Sequence, residues 1–170
     1  KLEQAGIPYK DAAYTGLTAC LDSGKPGPNI GLIAEFDAVP TLGHPYANEG
    51  DYAAHTCGHY AQIGVMLSLF LAIKESDMLK DLCGKVTLLV TPGEEFCDMD
   101  YRKSLIAEGK LHYPSGKQEM IATGVFDDID IMLSCHAMGI DMETYHAEIG
   151  AGLNGFIQKR AIFYGKATHA

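Results

Sequence analysis

The stretch that decides the fold is Lys85-Val86-Thr87-Leu88-Leu89-Val90-Thr91, followed at once by Pro92-Gly93-Glu94-Glu95. The first seven residues read as a buried strand. Pro92 lacks the N–H a sheet ladder needs and Gly93 tolerates a sharp turn, so the strand stops there. Two adjacent carboxylates, Glu94 and Glu95, are thereby delivered just past a strand's C-terminal end.

Working upstream, Cys57 to Ser76 carries a helical pattern. Ile63, Met66, Leu67, Phe70 and Leu71 form one apolar stripe, widened by Val65, Leu69 and Ile73. Such a helix, apolar nearly all round, is expected to lie buried against a sheet. Before it, Asn29 to Asp37 reads as another buried strand ending in carboxylates, and a loop rich in Gly, Pro and His runs from Pro40 to His55. Downstream, a helix is predicted from Tyr101 to Glu108, stopped by Gly109 as its C-cap. Tyr113 to Glu119 reads as a surface loop, and Ile129 to Cys135 as a third buried strand ending at His136. Alternating strands and helices predict an α/β domain with a largely parallel sheet. In open sheets of that kind, sites form at the carboxyl ends of strands. Asp37, Glu94-Glu95 and His136 each end a different predicted strand, and His55 to His59 opens the helix after the first of these. From Asn154 onward Phe156, Gln158, Arg160, Ile162 and Tyr164 alternate imperfectly with their neighbours, predicting an exposed-face strand that runs into Gly165–His169. A domain boundary is expected near Gly150 to Gly155.

Composition narrows the classes. The chain has 170 residues, 47% hydrophobic and 21% charged, as a single globular domain would. Its formal net charge of −9, spread along the sequence, points away from nucleic acid as a partner. No apolar run approaches the ~18 residues of a membrane span, so no membrane partner is expected. No signal peptide opens the chain, and its lack of an initiator Met hints at an excised piece. The five cysteines (Cys20, Cys57, Cys83, Cys97 and Cys135) are odd in number and show no Cys-x-x-Cys spacing. Free thiols in a reducing, cytoplasmic compartment are the expectation.

Single motifs leave alternatives open. In His55-Thr56-Cys57-Gly58-His59, a thiol and an imidazole two residues apart can face the same side of a tight loop. The start of the following helix is expected to lower the Cys57 pKa and favour the thiolate that metals require. The competing reading is a buried Cys beside a helix-entry His. Glu94-Glu95 is either a solvated acidic turn or a pair that divides its labour, one carboxylate on a metal and the other accepting a proton from activated water. His136 is a rim residue or a ligand. Asp37 is a turn initiator before Pro40 or a group that orients a ligand from behind. His169 is the weakest taken alone, and His44, His112 and His146 have no companions at ligand spacing. Gly24-Lys25-Pro26-Gly27 lacks the spacing of a phosphate loop and reads as a turn.

Taken in order, Ala34–Pro40, His55–His59, Pro92–Glu95 and Cys135-His136, followed by Gly165-Lys166-Ala167-Thr168-His169, resemble the metal-dependent amidohydrolase and zinc-exopeptidase family. That family includes aminoacylases, carboxypeptidase G-type enzymes, aminobenzoyl-glutamate hydrolases and auxin-conjugate hydrolases. The resemblance implies a three-layer α/β sandwich truncated before an inserted lid or dimerisation domain. Residues 1–152 would belong to the catalytic domain and 153–170 would form the lid's first strand. It implies two divalent cations, Zn²⁺ or Mn²⁺, on Cys57, His59, Glu95 and His136. Glu94 would be the general acid/base, Asp37 a supporting carboxylate, and His169 an oxyanion stabiliser that often serves the partner subunit's site, which implies a homodimer. The implied reaction is hydrolysis of the amide bond in an N-acyl or N-aroyl amino acid or a small dipeptide, by metal-activated water. Three departures stand out. Tyr60 and Gln62 replace an Asp and a His, Thr91-Pro92-Gly93 replaces Gln-Pro-Ala, and the family's last ligand, a His in the returning part of the catalytic domain, is absent. The competing functions are a thiol hydrolase using Cys57 with His55 or His59, and a non-catalytic metal-binding or interaction module.

Overall fold

In a computed structural model the described residues are 1–137, with 139, 143, 144, 146–150, 152, 155, 157, 159 and 161–166. The chain divides into two compact units, Lys1–Met138 and Gly139–Ala170.

The strands of the first unit, in chain order, are β1 (Tyr9–Ala12), β2 (Gly16–Asp22), β3 (Asn29–Glu35), β4 (Val39–Pro40), β5 (Ala53–Ala54), β6 (Lys85–Thr91) and β7 (Ile131–Leu133). Five of them make one sheet in the order β1-β2-β6-β3-β7. Strands β6, β3 and β7 run parallel, while β1 and β2 form a hairpin antiparallel to β6. The parallel half is the one the sequence predicts. The hairpin is not foreseen, because its short segments carry no long apolar run. A two-stranded ribbon of β4 with β5 lies within the loop that follows β3.

The helices are α1 (His59–Glu75), α2 (Met99–Ala107) and α3 (Gly116–Ala122). Alternate residues of the central strands, Leu32 and Ala34 with Leu88 and Val90, meet Met66 and Phe70 of α1 in the main core. Each fully buried large apolar side chain there contributes about 1.5–3 kcal/mol. His59, Gln62, Met66 and Phe70, spaced by three or four residues, form the buried face of α1. Val65 and Leu69, expected inside, are exposed on its other side. Strand β7 also differs from expectation. Ile131, Met132 and Leu133 are exposed because, among the described residues, β7 is the sheet's edge and pairs with β3 on one side.

A further difference lies in the predicted surface loop at Tyr113–Glu119. Its second half is the start of α3, and Glu119 is buried at 3% exposure. Met120 packs with Ala12 and Ala13 in a second small core. Glu119 holds the preceding turn by accepting hydrogen bonds from the backbone N–H groups of His112 and Tyr113, at 2.7 and 2.8 Å.

Among the described residues of Gly139–Ala170 there is no helix or strand. The predicted strand over 156–164 falls partly on residues 156, 158 and 160, which lie outside the described residues. No helix among the described residues is long and apolar enough to cross a membrane.

Candidate metal centre

Register brings the candidate residues to one edge. Glu35 pairs with Thr91 across the parallel β3/β6 ladder, so the two strands end level. The Phe36 N–H donates to the Thr91 carbonyl at 2.9 Å, extending the ladder by one step. Beyond it the chain turns at Gly93, whose φ of +70° suits glycine. Leu32 pairs with Leu133, which sends residues 134–136 toward the same edge.

Helix α1 starts there too. Its N-cap Gly58 has φ +82°, and a Cβ at that position would lie 3.3 Å from both His136 Cε1 and Ala137 Cβ. Glycine suits the left-handed turn, and a side chain there would in addition press tightly on the His136 loop. His59, the first residue of α1, is buried at 3% exposure and sits at the centre of the cluster. Its Nδ1 lies 3.5 Å from Glu95 Oε1, and its Nε2 lies 3.7 Å from both Glu94 Oε2 and Glu35 Oε2. Its ring meets that of His136 edge-on, with centroids 5.3 Å apart. His136 Nδ1 donates to the Ala137 carbonyl at 2.7 Å, a bond that does not engage Nε2.

Two groups of donor atoms, each within 4.8 Å of one another, follow: Cys57 with His59 and His136, and His59 with Glu94 and Glu95. The four sequence-predicted ligands and the predicted base thus share one edge. His59 Nδ1 and Glu95 Oε1 are buried without a hydrogen-bond partner among the described residues, a condition that costs free energy unless something positive lies between them. A sulfur, two imidazoles and carboxylates suit a borderline divalent cation such as Zn²⁺. The donor set therefore fits such an ion.

Asp37 directly supports the turn that carries Glu95. Its Oδ2 accepts from the Glu95 N–H at 2.9 Å, while its carbonyl lies 3.2 Å from His55 Nδ1. His169 lies outside the described residues.

One expectation is overturned. The Cys57 thiol is pushed up to about 11, by hydrogen bonding to Glu95 first, then by burial and by the charges of Glu95, Glu94 and Asp37. The nearby carboxylates outweigh the helix start, which itself has no acidic residue or side-chain cap. A cation bound here would supply the opposite charge that a thiolate requires.

Glu35 and Lys117 are neighbours that the sequence reading does not single out, and Gln62 is read there only as a departure from the family pattern. Gln62 is buried, accepts from the Glu35 N–H at 2.7 Å, and donates to Ser134 Oγ at 3.1 Å. It ties β3 to the His136 segment, and its i+3 spacing from His59 is the available signal. Glu35 is buried at 5% exposure beside His59, unmarked among the carboxylates that end β3. Lys117 lies 2.6 Å from Glu35 Oε1 and 3.9 Å from Glu94 Oε1. It comes from a segment that reads as a surface loop, and nothing local marks it.

Residues 31–157 match the description Peptidase family M20/M25/M40. The chain belongs to this peptidase family. Its relatives include the indole-3-acetyl-aspartic acid hydrolase of Enterobacter agglomerans, 28% identical over 94% of this chain and 35% of the relative. The N-acetyl-L-cysteine deacetylase of Bacillus subtilis is 29% identical over 99% of this chain and 37% of its own length. A p-aminobenzoyl-glutamate hydrolase chain of Escherichia coli is 25% identical over 94% of this chain and 35% of its own. A dinuclear metal-binding M20-family peptidase from Bacillus subtilis shares the fold, with a TM-score of 0.58 at 22% identity over 77% of this chain and 33% of that one. The chain thus spans about a third of the length of these family members.

Proposed function

We propose that the whole protein is a binuclear metal-dependent amidohydrolase cleaving the amide bond of an N-acyl or N-aroyl amino acid or a small peptide. The observation that carries this reading is the buried His59 shared between two groups of donor atoms, the second of which includes Glu94, 3.7 Å from His59 Nε2. Cys57, His59, Glu95 and His136 would hold two divalent ions, Zn²⁺ or Mn²⁺. When bound, such ions lower the pKa of water to about 7 and polarise a carbonyl. Glu94, partly exposed and within reach of the cluster, takes the proton from the attacking water and passes it to the leaving amine. Asp37 keeps the Glu95 backbone fixed, and Gln62 holds β3 and the His136 segment together. His169 is assigned to the oxyanion that forms when water adds to the carbonyl.

The substrate class is supported by the relatives named above, whose names specify an acyl or aroyl group on the nitrogen of an amino acid. Residues 153–170 are assigned to the first strand of a lid or dimerisation domain, in a homodimeric full-length protein. The thiol-hydrolase alternative is disfavoured by chemistry, since a thiol held at about 11 is the reverse of an activated nucleophile.

The test uses full-length protein with p-aminobenzoyl-glutamate, N-acetyl-L-cysteine and indole-3-acetyl-aspartate. Chelation should abolish hydrolysis and Zn²⁺ or Mn²⁺ should restore it, with two ions per chain by elemental analysis. Full activity after exhaustive chelation, lost on alkylation of Cys57, would reject the metal reading for the thiol one.

A further inference from the structure

Four carboxylates, those of Glu35, Asp37, Glu94 and Glu95, converge on the edge where His59 sits. A pair of divalent ions attracts all of them, yet a general base must stay free to carry a proton. The lysine on α3 addresses this conflict. Lys117 Nζ lies 2.6 Å from Glu35 Oε1 and 3.9 Å from Glu94 Oε1. Glu35 itself is buried, with its other oxygen 3.7 Å from His59 Nε2 and without a hydrogen bond among the described residues.

The backbone is arranged to deliver this cation. The Gly116 N–H donates to the Pro92 carbonyl at 2.9 Å, joining the first turn of α3 to the turn that carries Glu94. A Cβ at Gly116 would collide with the Pro92 carbonyl and press on Thr91 Oγ1. Only glycine lets α3 approach this closely and bring the next residue, Lys117, to the strand ends.

We propose that Lys117 is a positioning residue that holds Glu35 and Glu94 off the metal ions, so that Cys57, His59, Glu95 and His136 bind them and Glu94 remains a base. This rests on the metal reading above. A lysine ammonium is a compact point charge with three donors, so it can hold two carboxylates at once. A guanidinium in the same place would be larger and planar.

The test is Zn²⁺ affinity, by calorimetry on full-length protein stripped of metal, alongside kcat and KM on the substrate that the wild type turns over. Lys117→Met should bind Zn²⁺ at least about tenfold more tightly, since a cation is removed and two carboxylates are released toward the ions. Its kcat should fall about a hundredfold with KM little changed, because a coordinated Glu94 no longer moves a proton. General damage to the site would instead weaken the metal and the rate together. The charge-balanced pair Lys117→Met with Glu35→Gln guards against misfolding of the single variant. It should bind Zn²⁺ no more weakly than wild type, because neither residue is a ligand and Glu94 is still released toward the ions; a loss of about a hundredfold would make Glu35 a ligand and overturn the proposal. Equal or weaker Zn²⁺ binding by a folded Lys117→Met also overturns it. Should wild type bind no Zn²⁺ at all, the metal reading itself fails, a result distinct from either of these.

Discussion

Two carboxylates in different parts of the same unit, Glu119 buried and Glu95 half-buried, are treated in opposite ways. Glu119 has its acceptors filled: His112 and Tyr113 donate backbone N–H groups to one oxygen, and His112 Nδ1 lies 2.9 Å from the other. Glu95, 58 positions along from its contact Asp37, gains a bond to its backbone N–H, while its own Oε1 is buried without one. Around His59 the pattern repeats, with His59 Nδ1, Glu35 Oε2 and Asp37 Oδ1 all without a hydrogen bond among the described residues. A carboxylate whose partners are complete stabilises a fold. A cluster whose partners are incomplete has room for a ligand of opposite charge.

The sharpest test separates rate from stability. Glu94→Gln should reduce kcat by about 10²–10⁴-fold in the full-length protein while leaving the Zn²⁺ stoichiometry intact. Glu94 is partly exposed and makes only long contacts, at 3.7 Å to His59 and 3.9 Å to Lys117, so unfolding free energy should move by less than about 0.5 kcal/mol. A variant that keeps wild-type kcat would remove Glu94 from the role of base. Glu119→Gln should behave in the reverse sense. It places an amide N–H₂ among donors and costs about 2 kcal/mol in denaturant unfolding, with metal stoichiometry retained. Equal stability would show that the satisfied carboxylate is not a structural latch.

Gly58→Ala cuts across this division, since Gly58 serves both backbone and site. An alanine must adopt φ +82° and place its Cβ 3.3 Å from His136 Cε1. The strain is worth about 1–2 kcal/mol in stability, and displacement of His136 should weaken Zn²⁺ binding as well. An alanine variant as stable as wild type, with unchanged Zn²⁺ affinity, would mean that the turn relaxes freely.

The legible part of the molecule is the part written in local pattern. Lys85–Thr91 is a strand over the predicted residues, and Asn29–Glu35 and α1 follow their apolar runs closely. Cys57, His59, Glu94, Glu95 and His136 could be placed at one edge because each follows or precedes such a run. What stays hidden depends on tertiary contact. Lys117 matters only because Gly116 abuts Pro92, 24 residues earlier in sequence, and no periodicity reports that approach. The exposure of β7 depends on its edge position, which composition does not encode. The raised Cys57 pKa reflects carboxylates brought from two other strands, so a reading from the helix start alone has the wrong sign.

The smallest predicted effect is a fraction of the Glu119→Gln cost, and it has a definite pH signature. Burial favours the protonated form of Glu119, but hydrogen bonds from the His112 side chain and from the Tyr113 and His112 N–H groups outweigh it. Its pKa accordingly lies below the ordinary glutamate value. A depressed pKa means that the native state holds the proton less tightly than the unfolded chain, where it is about 4.3. The stabilisation is therefore complete above that unfolded value and drains away as pH falls through the native one. Glutamine has no charge to lose, so the stability gap between wild type and Glu119→Gln should be constant near neutrality and narrow below about pH 4. Thermal midpoints of both proteins, measured in parallel from neutral to acidic buffer, give the gap directly. If it stayed the same width into strong acid, the ionised carboxylate would not be what holds the His112–Tyr113 turn. The contrast between a filled carboxylate and an unfilled cluster would then have to rest on packing by Met120 instead.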